Sequence, residues 1–144
     1  MSNIVVGIDG SEASLAALRS AIDEAAYRGV ALDAVHVWSL PAMSGAETLG
    51  AVMLPVDELE ASAHAILEQA LAKVDRRDVA VTPIVIQGAT AHSLIEHAAN
   101  APMLVVGSRG SGGFIGLLVG SVAHQVLHHC PCPVLVVPAT KRKA

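Results

Sequence analysis

The sequence predicts one α/β domain over residues 1–144, with a five-stranded, mostly parallel sheet and helices on both faces. Hydrophobic residues make up 53% of the chain and aromatic residues only 2%. The core must therefore consist of Val, Leu, Ile and Ala, which is typical of strands buried on both faces. Short apolar runs also alternate with segments of helical spacing. Helices between strands act as crossovers, and crossovers join parallel strands.

The elements follow from apolar periodicity and from the residues that end each run. The run Ile4–Ile8 ends at Asp9-Gly10-Ser11, which predicts a buried strand and a turn. Ser11 is suited to cap the next helix and Gly29 to end it. The predicted order is strand 4–8, helix 11–29, strand 31–38, loop 39–56, helix 57–74, strand 81–87, helix 92–99, strand 103–106, helix 121–128 and strand 133–137.

The segment 107–121 carries the chemistry, because it is rich in glycine and joins the end of a strand to the start of a helix. Glycine lets a backbone approach a ligand closely, and the first N–H groups of a helix attract phosphate. Arg109 and Ser121 can add a charge and a hydroxyl. The segment is neither a P-loop nor a dinucleotide fingerprint, since it lacks the Gly-Lys-Ser/Thr and Gly-x-Gly-x-x-Gly patterns. A flexible connection without a ligand is the alternative.

A spaced glycine motif links this segment to a known family. The motif is Gly107-x-x-Gly110, followed by nine residues and then Gly120-Ser121. It resembles the Gly-2x-Gly-9x-Gly-Ser/Thr pattern of single-domain, ATP-binding universal stress proteins. The stretches 5–11 and 132–137 resemble the same family, and the likeness covers essentially the whole chain. The resemblance implies a Rossmann-like sheet of the adenine nucleotide alpha hydrolase-like type.

The resemblance also implies a role for each matching position. Backbone amides of the motif and the Ser121 hydroxyl would contact phosphates, Asp9 would approach the ribose or a phosphate-bound Mg²⁺, and Val37 would pack on adenine. Ala123 stands where some ATP-binding members have a hydroxyl residue. The residues expected to bind ATP are Ile8, Asp9, Val37, Val106, Gly107, Arg109, Gly110, Gly120, Ser121 and Val122.

The predicted function is that of a binding module in the stress response, a nucleotide-dependent sensor or regulator with slow hydrolysis at most. Fast phosphoryl transfer requires a base, a metal-holding carboxylate and positive charge at the transferred group. Asp9 and Arg109 are the candidates, and the loop has no lysine. No residue is therefore assigned as catalytic. The alternatives are a slow Mg-dependent ATPase or adenylate hydrolase, and a binder of cyclic AMP or another adenylate.

Charge and composition predict which partners the protein lacks. The net charge is −4, and neither a basic stripe nor aromatic platforms are available for nucleic acid. No apolar run approaches the roughly 20 residues needed to cross a bilayer, and no secretory signal pattern is present. The sequence therefore predicts a cytoplasmic protein with no nucleic-acid or membrane partner.

Four further expectations concern single features. The apolar strand 133–137 has little charge to block edge pairing, which predicts a homodimer through that strand. Alternation along the second strand places His36 opposite Val37, which favours a structural histidine. Tyr27 and Trp38 are expected to anchor packing. Metal binding by Cys130 and Cys132 with their histidine neighbours is disfavoured, because consecutive ligands cannot easily surround an ion.

Overall fold

Five parallel strands form one sheet in the order β3-β2-β1-β4-β5. The computed structural model describes residues 2–40, 55–110 and 119–139. The strands are β1 (Ile4–Gly7), β2 (Leu32–Trp38), β3 (Val81–Gln87), β4 (Leu104–Gly107) and β5 (Val134–Val137). The helices between them are α1 (Glu12–Arg28), α2 (Val56–Ala72), α3 (Thr90–His97) and α4 (Ser121–His129).

The helices cover both faces of the sheet, which confirms the predicted fold class. Ile4 and Val6 of β1 pack with the buried residues of α1 and α2, whereas Val5 packs with those of α3 and α4. Neighbouring strand residues point to opposite faces, so one strand serves both cores. This two-sided burial explains why the strands are nearly continuous apolar runs.

The strand order reverses direction between β1 and β4. The chain leaves β1 for β2 and β3 on one side, and then crosses back to place β4 and β5 on the other side. The connections after β1 and β4 therefore diverge, which opens a crevice at the carboxyl ends of these two strands. Open α/β sheets bind ligands at such a point.

Helix α1 begins and ends as its terminal residues predict. The backbone N–H of Ser14 donates to Oγ of Ser11 at 3.2 Å, so Ser11 is the N-cap. Gly29 ends the helix in the left-handed region, with φ +70°, where glycine is strained least. Both predictions are confirmed. The carboxyl end of β1 is thereby held beside the first turn of α1.

Other predicted boundaries differ from the structure by one or two residues, as expected where helix ends fray. Helix α2 starts one residue before the predicted helix 57–74 and stops two residues earlier, so the predicted loop 39–56 overlaps it by one residue. Most of that loop, residues 41–54, lies outside the described residues, as does 111–118 of the glycine-rich segment.

The expectation that Tyr27 anchors packing is wrong, because its side chain is 91% exposed. The buried face of α1 follows residues such as Leu18, Ile22 and Ala25, and Tyr27 lies on the opposite side of the helix. In the described ranges, no helix combines the length and the apolar character that a membrane crossing requires.

Candidate functional site

A cavity of about 510 Å³ opens where β1, β2 and β4 end. This volume lies within the range of about 300–1,000 Å³ that is usual for small-molecule sites. The lining is mostly apolar, with polar groups concentrated between β1 and α4. It comprises Gly7, Ile8, Asp9, Ser14, Val35, His36, Val37, Ile66, Thr90, Leu94, Val106, Gly107, Ser108, Arg109, Gly110, Gly120, Ser121, Val122 and Ala123.

The structure brings all ten sequence-predicted binding residues to this one cavity. They come from four separate places in the chain: the end of β1, the end of β2, the end of β4 with its loop, and the start of α4. Parallel strands present their carboxyl ends at the same edge, which is why these places meet. The lining holds Ile8, Asp9, Val37, Val106, Gly107, Arg109, Gly110, Gly120, Ser121 and Val122.

Helix α4 starts at the cavity wall and is tied to the end of β4. Gly120 is its N-cap, and the Gly120 N–H donates to the Ser108 carbonyl at 2.6 Å. The Gly120 carbonyl accepts the helical bond from His124 at 2.9 Å. No side chain of the described residues caps this end. The first-turn amides, including those of Ser121 and Val122, therefore lack helical partners and carry partial positive charge.

Two glycines allow the chain segments around the cavity to approach each other closely. A methyl group on Gly107 would lie 2.8 Å from the carbonyl carbon and from Cβ of Ala13, in the first turn of α1. A methyl group on Gly110 would lie 2.9 Å from Oδ2 of Asp9. A larger residue at position 107 would push β4 away from the backbone of α1, whereas one at position 110 would displace the Asp9 carboxylate. Gly107 thus allows the end of β4 to lie directly against α1, and Gly110 leaves room for the Asp9 carboxylate.

The Asp9 carboxylate is oriented by the turn that follows β1. The Ser11 N–H donates to Oδ1 of Asp9 at 2.9 Å, as in an Asx turn. The Asp9 N–H donates to Oγ of Ser14 at 3.2 Å, and that hydroxyl donates to the Ser11 carbonyl at 3.0 Å. Asp9 therefore serves the helix entry and lines the cavity at the same time.

The ends of β1, β2 and β4 contribute apolar lining to the cavity. Val37 and Val106 belong to the core shared with α3 and α4, and Ile8 belongs to the core shared with α1 and α2. The Ile8 N–H donates to the Val35 carbonyl at 2.8 Å, which extends the pairing of β1 and β2 beyond Gly7. The cavity therefore lies across the carboxyl ends of the strands and is lined by residues from both faces of the sheet.

Sequence reasoning missed several lining residues. Ile66 comes from α2 and Thr90 from α3, and helical spacing alone does not indicate which turn of a helix reaches a cavity. Ser14 lies in the first turn of α1, and the helical pattern did not indicate that this turn lines the cavity. His36 was interpreted as structural only, although it also lines the cavity. Its position next to Val37 at the carboxyl end of β2 was the signal that could have identified it.

Cys130 and Cys132 lie between α4 and β5, and neither lines the cavity. Their sulfur atoms are 3.5 Å apart as free thiols. Burial, followed by the hydrogen bond with the Cys130 thiol, raises the pKa of Cys132 to about 11. Cys132 is thus protonated at neutral pH in the metal-free protein. Within 2–40, 55–110 and 119–139, no three His, Cys, Asp or Glu side chains are grouped to hold a metal ion.

Comparison with known families gives matches along nearly the whole chain. The profile of the universal stress protein family matches residues 1–138. A universal stress protein of Mycobacterium tuberculosis is 40% identical over 135 residues, which are 92% of this chain and 44% of the relative. One of Mycolicibacterium smegmatis is 40% identical over 136 residues, 93% of this chain and 45% of the relative. The chain therefore spans less than half of the length of these curated relatives.

Solved structures of similar length share the fold. The universal stress protein UspA of Lactobacillus plantarum superposes with a TM-score of 0.75 at 25% identity, covering 94% of this chain and 97% of that one. A universal stress protein in complex with cAMP gives 0.72 at 26% identity, with 96% and 98% covered. An Archaeoglobus fulgidus universal stress protein in complex with dAMP gives 0.57 at 25% identity, with 95% and 98% covered.

Proposed function

Because this chain belongs to the universal stress protein family, we propose that its cavity binds an adenine nucleotide, ATP in particular, as the signal of a stress-response sensor or regulator. One observation carries the proposal: the amino end of α4, which no described side chain caps, opens into a cavity whose remaining walls are largely apolar. A helix start attracts phosphate, and an apolar slot accepts a base. The relatives in complex with cAMP and dAMP support the same ligand class.

The proposed orientation follows the order of the strands. Phosphates would meet the backbone amides of Gly110, Ser121 and Val122, the Ser121 hydroxyl and the Arg109 side chain, all on the β4 side. The Gly120 and Ser108 amides are already bonded, to the carbonyls of Ser108 and Val137. Asp9, at the end of the central strand β1, would face the ribose or an Mg²⁺ ion held by the phosphates. The apolar side chains of Ile8, Val37 and Val106 would enclose the base.

Binding with slow hydrolysis at most fits the charges of the site. Among the described residues, Asp9 and Arg109 are the charged members of the lining. Rapid phosphoryl transfer uses several positive groups and a dedicated base. We therefore assign the bound nucleotide a regulatory role, in which it favours one arrangement of the segments that surround it.

An Asp9→Asn variant tests whether the site is an enzyme. Asparagine retains an oxygen for the Ser11 N–H and removes the negative charge. We expect single-turnover ATP hydrolysis by both proteins to remain well below the rates of about 1–100 s⁻¹ that are typical of kinases. Rates in that range for the wild-type protein, lost in Asp9→Asn, would instead support an Mg-dependent hydrolase.

A cyclic AMP site is the second candidate, because one structural relative was solved in complex with cAMP. ATP offers two more phosphate groups to the amides of α4, so we expect ATP to displace a fluorescent adenylate at lower concentration than AMP or cyclic AMP. Competition titrations with the three ligands measure this order. The reverse order, with cyclic AMP strongest, would favour the second candidate.

We also propose that the protein forms a homodimer through the edge strand β5. In the described part of the chain, β5 pairs with β4 on one side, and its other edge is open. Leu135→Lys places a charge in the middle of β5, where Leu135 packs against the core shared with α1 and α2, and should shift the protein to monomer in sedimentation velocity. Leu127→Lys is the control, since Leu127 lies on α4 and is 49% exposed. Circular dichroism must show that both variants are folded, and a folded Leu135→Lys dimer would contradict this interface.

A further inference from the structure

His36 is a buried histidine anchored through one of its two ring nitrogens. It lies on β2, and only 7% of its surface is exposed. Nδ1 is 2.7 Å from the carbonyl oxygen of Ile8, the residue that directly follows β1. This bond fixes the ring against the end of the neighbouring strand.

The same bond determines which nitrogen carries the proton. A carbonyl oxygen can only accept, so Nδ1 must donate. In the neutral imidazole the other nitrogen, Nε2, then has a lone pair and no hydrogen. Nε2 is therefore a hydrogen-bond acceptor with a fixed direction.

Nε2 has no hydrogen-bond partner among the described residues, since the only bond of the His36 side chain is the one from Nδ1. Every fully buried side-chain nitrogen and oxygen in the described ranges does have a partner. Nε2 consequently reaches accessible space. The accessible space next to His36 is the cavity that it lines.

We propose that Nε2 of His36 accepts a hydrogen bond from the nucleoside part of the bound nucleotide and so determines which nucleotides the site takes. The inference rests on the proposed function, which it deepens. Strand β2 lies two strand spacings from β4, about 10 Å, so phosphates held at β4 and α4 do not reach it. A lone pair also repels phosphate oxygens. The donor is therefore the exocyclic amine of the base or a ribose hydroxyl.

The wild-type protein alone gives the first test, by isothermal titration with ATP, ITP, 2′-deoxy-ATP and 3′-deoxy-ATP. ITP carries a carbonyl oxygen in place of the amine, and each deoxy analogue lacks one hydroxyl. The analogue without the donor should bind about tenfold more weakly than ATP, because it leaves Nε2 unpaired. That analogue identifies the donor. Equal affinity for all four ligands would overturn the inference.

A His36→Asn variant gives the second test. Its side-chain amide can keep the bond to the Ile8 carbonyl, but it has no atom at the position of Nε2. We expect ATP to bind about tenfold more weakly, and the preference over the weak analogue to disappear. Urea denaturation reports whether the fold is retained.

The outcomes separate the inference from the proposed function. A folded His36→Asn protein with wild-type affinity and wild-type preference would make His36 purely structural, and ATP binding would still stand. A wild-type protein that binds none of the four nucleotides would overturn both.

Discussion

Replacing Gly120 with glutamate is expected to weaken ATP binding at least about 100-fold, equivalent to roughly 2.8 kcal/mol. A Cβ at this position would lie 3.3 Å from Cα of Arg109 and 3.4 Å from the Ser108 carbonyl oxygen. The longer side chain must therefore extend into the cavity or displace the loop after β4. Its carboxylate would also repel phosphate, by about 4 kcal/mol at 4 Å in a partly exposed site. Isothermal titration of both proteins with ATP measures the loss.

Two control variants separate the causes. Gly120→Gln adds almost the same volume without the charge, so it should lose less affinity than Gly120→Glu. Gln125→Glu adds the same charge at an exposed position of α4 and should bind ATP nearly as well as the wild-type protein. The backbone of Gly120, with φ −69° and ψ 169°, is accessible to any residue, so the variants are expected to fold. Wild-type affinity in Gly120→Glu would mean that the phosphates bind elsewhere.

Replacing Gly107 with alanine is expected to lower the free energy of unfolding by about 1–3 kcal/mol, the usual range for overpacking. The added methyl group would lie within 3 Å of three atoms of Ala13, two of them in the backbone. A backbone in the first turn of a helix cannot move aside as a flexible side chain can. Urea denaturation, followed by circular dichroism, measures the change.

Ala13→Gly provides the matched partner for this substitution. It removes Cβ of Ala13 but leaves the carbonyl carbon and oxygen, which lie 2.8 and 2.9 Å from the added methyl group. The double variant should therefore recover part of the loss that Gly107→Ala causes, when it is compared with Ala13→Gly alone. A Gly107→Ala protein as stable as the wild-type protein would show that β4 and α1 are not in such close contact.

The fold could be predicted from local sequence patterns, and about half of the cavity lining from the resemblance to a known family. Apolar runs identified every strand, and the rule that parallel strands end at the same edge explains why Asp9, Val37 and Gly107 meet. The family resemblance drawn from the spaced glycines is confirmed by the match over residues 1–138. The contacts that these residues would make with a nucleotide stay predictions.

The remainder depends on contacts between segments that are distant in the chain. Alternation placed His36 opposite Val37, but did not reveal that the cavity spans both faces of the sheet. Helical spacing identified the buried faces of α2 and α3, but not the placement of Ile66 or Thr90 at the cavity. The approach of Gly107 to Ala13 is likewise a tertiary contact, and nothing in the spacing of the glycines indicates it.

A crystal structure of the protein with ATP tests the central claim most directly. It should place phosphate oxygens within hydrogen-bonding distance, about 3 Å, of the backbone amides of Gly110, Ser121 and Val122, with the base between the ends of β1 and β2. ATP bound at another surface, with the cavity beside α4 containing only water, would contradict the account.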